Sequence, residues 1–211
     1  MDDNPIAVYR LQKIADDKDR LYDGFAFVDE SSLLGNRSIY NDFMPASREW
    51  DWEPPRLAKI WKPRAVHGER NPENDYPEIG LQVPAFSQRA VDRLGRLLSH
   101  NGELLALVCD LGEYFAYNVT RVAEAMDPEG SEVFWAADAA WAQDVDRYEF
   151  LPDRLRGLTI FRPREQPNVV LATNVFLEAV RAAKLKGMSF QKLWPLPSGQ
   201  LWIRRRPVEL R

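Results

Sequence analysis

The chain has 211 residues, 45% hydrophobic and 28% charged, a balance too apolar for a disordered protein and ordinary for one that folds alone as one large domain or two small ones. Twenty-eight Lys and Arg against 32 Asp and Glu give a formal charge of −4. This argues against nucleic acid as the main partner, since phosphate binding calls for a basic surface, and suits a basic protein partner.

The single cysteine, Cys109, excludes an intramolecular disulfide, and its place after the apolar run Leu104 to Val108 predicts a small buried hydrophobe rather than a reactive thiol. Asp2 and Asp3 stand where a signal peptide would be basic, and no apolar run approaches the roughly 20 residues that span a bilayer. The expected compartment is the cytoplasm, with no membrane partner, and the sequons at Asn36 and Asn118 are then chance matches.

In chain order, the mixture of β-branched, aromatic and polar residues predicts strands over Ile6 to Ile14 and Tyr22 to Val28. From Met44 to Glu78 the composition shifts, with six of the fifteen prolines and the tryptophans Trp50, Trp52 and Trp61. Proline removes backbone donors, so this stretch is expected to be mostly loop with a short strand at Arg56 to Trp61, its tryptophans pinning it to the core.

Ser87 is placed to cap a helix to about Ser99, with Ala90, Val91, Leu94, Leu97 and Leu98 on one face and Asn101 and Gly102 ending it. The runs Glu103 to Cys109 and Glu113 to Tyr117 flank Asp110, Leu111 and Gly112 in the pattern of a hairpin. A short helix is expected over Val119 to Met126. Ser131 to Gln143 reads both ways, because Val133 to Trp135 favours strand and Ala136 to Ala142 favours helix.

Strands are expected at Leu158 to Arg162 and Val169 to Ala172, around a turn from Pro163 to Asn168. Thr173 is expected to cap a helix with Phe176, Leu177, Val180 and Ala183 on its apolar face, Lys184 and Lys186 at its C-terminal end and Gly187 as its stop. Strands at Ser189 to Trp194 and Leu201 to Arg205 close the chain. The sum is an α+β fold, mainly antiparallel sheet with a few packed helices. Residues 1–80 supply N-terminal strands and the Pro/Trp-rich loop and are expected to belong to the same domain as the α+β unit over 81–211.

His67 and His100 are the only histidines, and neither lies in a metal or nucleophile motif. H-E-x-x-H, C-x-x-C, G-x-S-x-G and phosphate-loop patterns are all missing, so no catalytic residue, metal ligand or cofactor is assigned. Asp16, Asp17 and Asp19 read as a solvated turn, and Arg204 to Arg206 as an exposed edge.

One charge feature stands apart. From Glu124 to Glu149 there are eight acids and one base, Arg147, leaving the rest of the chain net basic. Phe134, Trp135, Trp141 and Tyr148 are interleaved with the acids, a combination that protein interfaces use. Asp138, Trp141, Asp144, Asp146 and Glu149 are therefore the candidate partner-binding residues. The competing account is a solvated face whose aromatics point into the core.

Four stretches, VPAFSQRAVDRL (Val83 to Leu94), GEYFAYNVTRVAEAMD (Gly112 to Asp127), TIFRP (Thr159 to Pro163) and VFLEAVRAAKLKGMSFQKLW (Val175 to Trp194), resemble a bacterial immunity-protein family associated with polymorphic toxins. The likeness covers roughly 81–194, and its motifs, such as Gly187, Phe190 and Trp194 in Gly-x-x-Phe-x-x-x-Trp, mark core and turn positions. It implies an immunity protein without catalytic residues that neutralises a cognate toxin, for instance a basic nuclease, by occlusion. The alternative is an enzyme or regulatory domain working through carboxylates, which a deep pocket of convergent acids would favour.

Overall fold

The structure is a computed structural model and describes residues 6–14, 24–35, 37–44, 52–68, 73–80, 83–135, 141–198, 200 and 208–210. Asp138, the aspartates at 16, 17 and 19, Trp50 and the strand expected at Leu201 to Arg205 with its arginine run lie outside them.

Thirteen strands and three α-helices are present among the described residues: β1 (Val8–Lys13), β2 (Phe25–Phe27), β3 (Arg64–Gly68), β4 (Ala85–Ser87), α1 (Gln88–Asn101), β5 (Gly102–Val108), β6 (Tyr114–Val119), β7 (Val122–Ala123), β8 (Glu132–Trp135), β9 (Ala142–Arg147), α2 (Pro152–Leu155), β10 (Ile160–Pro163), β11 (Leu171–Thr173), α3 (Asn174–Ala182), β12 (Met188–Trp194) and β13 (Val208–Leu210). They form a six-stranded sheet ordered β13-β12-β1-β11-β10-β7, a five-stranded sheet ordered β2-β3-β5-β6-β4, and the two-stranded β8–β9. Pairing is antiparallel except between β10 and β7 and between β3 and β5, so the class is α+β with mainly antiparallel sheet.

Alternation along the central strands covers the six-stranded sheet on both faces. Leu11, Ile160, Ala172 and Phe190 face a core shared with α1 and α3, through Ala90, Leu94, Leu98, Phe176, Leu177 and Val180. Val8, Phe161, Leu171 and Leu193 face the opposite way, into a second core with Ala142, Val145, Tyr148 and Phe150. A third cluster, including Phe25, Phe27, Phe43 and Leu105, lies on the five-stranded sheet.

The cap of α1 forms as the sequence predicts, with Ser87 Oγ accepting from the Ala90 amide at 3.1 Å, and the β5–β6 hairpin also forms. Elsewhere long-range partners override local signals. The expected strand at Arg56 to Trp61 is instead a turn over 58–60, and β3 starts only after Pro63. The Leu57 amide there donates to the Glu103 carboxylate at 2.8 Å, and the indole of Trp61 donates to the Ala106 carbonyl at 2.9 Å, pinning the loop to the sheet.

The helix expected over Val119 to Met126 is replaced by the end of β6 and by β7. The Asn101 carbonyl takes the amides of Thr120 and Arg121, and the carbonyls of Arg121 and Ala123 take the amides of Arg162 and Arg164, so these backbone groups are spent on distant chain. In the ambiguous stretch, strand prevails on both sides of residues 136–140. Thr173 holds the N-cap position of α3, but its hydroxyl donates to the Leu158 carbonyl at 2.8 Å instead of capping. That helix stops at Ala183, with Lys184 in the left-handed region, and Gly187 lies beyond it at the turn into β12, where a Cβ would strike the Asn74 side chain. Cys109 is half-buried against the third cluster, less enclosed than expected.

Candidate partner-binding site

The acidic segment is centred on the β8–β9 hairpin. Val133 pairs with Val145, and both turn toward the second core, which leaves Phe134 and its partner Asp144 on the outer face. Register irregularities at Glu132/Val133 and Phe134/Trp135 break the strict alternation, so two consecutive aromatics stay outside, Phe134 at 58% and Trp135 at 44% exposure. Both belong to the segment's aromatics but not to the candidate residues, and they are its best-exposed rings.

The base of the hairpin is tied down. The Asp127 amide donates to the Glu149 carbonyl at 2.8 Å, the Ser131 hydroxyl donates to the Asp127 carbonyl at 2.6 Å, and Met126 bridges to Phe150. Glu149 accepts from the Trp194 indole at 2.8 Å and pairs with Arg147 at 3.3 Å, while Arg147 also pairs with Glu132 at 3.0 Å. The segment's one base is thus neutralised internally, and the local field stays negative. Asp144 is exposed, Asp146 and Trp141 are half-buried, and Glu149 holds the hairpin's foot. Tyr148 departs from the anchor reading: it is fully buried, and its hydroxyl donates to Gln166 at 2.6 Å.

Where β9 begins, the Ala142 amide donates to the Glu165 carbonyl at 2.5 Å. The Glu165 side chain is buried with one carboxyl oxygen lacking a hydrogen-bond partner, and burial, assisted by the Glu124 charge, pushes its pKa up to about 7. The Trp141 indole nitrogen is likewise enclosed without a partner.

This raised carboxyl lines none of the surface depressions described here, and no group of three or more His, Cys, Asp or Glu able to hold a metal occurs among the described residues. No described helix is long and apolar enough to cross a membrane.

The hairpin is thus a negatively charged β-ribbon with outward aromatics, held firmly at its foot. Residues 110–194 carry the signature of an immunity protein family (Imm11), a stretch that runs from the β5–β6 turn to the end of β12 and includes the whole β8–β9 hairpin. The family resemblance read in the sequence is supported there, while its earlier part, 81–109, lies outside the match. A comparison with curated proteins finds no match.

Proposed function

We propose that this chain is a cytoplasmic immunity protein of a polymorphic toxin system, which binds one cognate toxin stoichiometrically and neutralises it by occlusion without chemistry of its own. The observation that carries the reading is the pair Phe134 and Trp135, exposed beside Asp144 on the outer face of a hairpin inside the family-matched stretch. The rings are the anchors, and Asp138, Asp144 and Asp146 supply the field, with Trp141 and Glu149 supporting the hairpin beneath them. A toxin that handles nucleic acid presents a basic surface, so an acidic ribbon speeds encounter and covers the groups that hold its substrate.

Association and dissociation separate the two contributions. With the cognate toxin in a kinetic binding assay, Phe134→Ala and Trp135→Ala should each speed dissociation by more than about tenfold. Replacing Asp138, Asp144 and Asp146 together by Asn should slow association at low ionic strength and flatten its salt dependence. Trp141→Ala, at a half-buried ring, reports packing as well as contact. Unchanged kinetics and unchanged protection of cells across these variants would put the interface elsewhere.

A further inference from the structure

A second charged surface lies beside β7. Two adjoining depressions of about 400 and 340 Å³ share Arg121 in their lining. The first is bordered by Arg96 and His100 on the C-terminal part of α1 and by Asn101 and Thr159; the second by Arg154, Arg164 and Glu124.

Most arginines with described side-chain contacts are neutralised. Arg64, Arg89, Arg147, Arg156, Arg164 and Arg181 each meet a carboxylate oxygen at 3.0 Å or less. Arg96, Arg121 and Arg154 are exposed and have no ion-pair or side-chain hydrogen-bond partner among the described residues. Arg96 and Arg121 border one depression and Arg121 and Arg154 the other, where Glu124 stands against Arg164, so each depression holds two guanidiniums without a counter-ion and favours an anion.

The neutral groups agree with this. The carbonyls at the end of α1 would disfavour an anion, but they are already taken: Arg96 by the His100 ring at 2.7 Å, Leu97 by the Asn101 amide at 2.7 Å, Leu98 by the Tyr117 hydroxyl at 2.8 Å. Asn101 Nδ2 donates its other proton to Thr159 Oγ1 at 2.7 Å. That hydroxyl is thereby fixed as an acceptor, leaving its own proton free to donate into the depression.

The apolar lining, Leu97, Val122 and Leu158, offers no aromatic platform for a nucleobase. We propose that this groove binds a polyphosphate chain, with Arg121 between two phosphates, Arg96 and the Thr159 hydroxyl on one and Arg154 on the other.

Calorimetric titration of the full chain with sodium triphosphate at fixed ionic strength tests this. Saturable one-to-one binding is expected, weakened at least about tenfold by Arg121→Gln, as for loss of a charge-assisted hydrogen bond. Lys59→Gln, an equal change of charge at an exposed turn that lines neither depression, should alter it less than about twofold. An unchanged melting midpoint of Arg121→Gln would show that the lost binding is not unfolding. Absence of saturable heat, equal losses in both variants, or sulfate binding as tightly as triphosphate would overturn the proposal. So would a single-stranded RNA oligonucleotide that binds in an Arg121-dependent way where triphosphate does not, since the groove would then follow a nucleic-acid backbone.

Discussion

Two buried charged residues, three positions apart around the β10–β11 turn, do opposite things to the fold. Arg162 is fully buried and meets carbonyls rather than a carboxylate, donating to Pro167 at 2.7 Å, Phe43 at 3.0 Å and Val119 at 3.3 Å, and burial pushes its pKa down to about 10. The guanidinium joins β6, the turn after β10 and the segment around Phe43, all of which would hold orphaned acceptors without it. Arg162→Met should therefore lower unfolding free energy by about 2 to 4 kcal/mol in denaturant titration, despite removing a costly buried charge. Glu165 works the other way. Its folded pKa lies above that of the unfolded chain, so between about pH 4.5 and 7 the folded state keeps a proton that the unfolded state has released, and stability falls as pH rises through that window. Glu165→Gln should flatten the fall and raise stability at pH 8 by up to about 3 kcal/mol, while changing little at pH 4. A wild-type melting temperature that does not decline over that window would show that Glu165 is not held protonated.

Among the elements, α3 gives the clearest test of packing, since Phe176 is fully buried with its ring centroid 6.5 Å from that of Phe86 and 6.3 Å from that of Phe190. Phe176→Ala should cost about 3 to 5 kcal/mol, read from denaturant midpoints. The face of that helix, like that of α1, could be read from spacing because amphipathic periodicity is local. What stayed hidden was set by distant partners. Val119 to Met126 looks helical in isolation, but its backbone groups are claimed by Asn101, Arg162 and Arg164. Of the candidate site, the acidic run and its aromatics were visible. Which rings face outward was not, because that depends on the irregularities beside Val133 and Trp135, which no composition reveals. The basic groove left no trace at all in the sequence, since Arg96 comes from α1, Arg121 from the link between β6 and β7, and Arg154 from α2.

At the scale of the whole molecule, the described charge is divided, with a negative ribbon on β8–β9 and arginine-lined depressions beside the short β7 strand, so the net value of −4 describes neither surface. The topology is similarly non-local. β1 sits between β11 and β12, so Tyr9 pairs with Ala172 on one side and Lys192 on the other. During synthesis β1 is made long before β11 and β12, the two strands that fill its edges. Sheets built from such remote segments close slowly. Once closed, the same arrangement makes the first strand one of the last to open, so the amides of Tyr9 to Gln12 should exchange with solvent deuterium only through global unfolding, with the free energy that denaturant titration gives. Faster exchange there than in the β5–β6 hairpin would mean that β1 detaches by itself. If it stays locked, every newly made copy passes through a period with two unfilled strand edges, during which the same backbone groups are open to pairing with another chain.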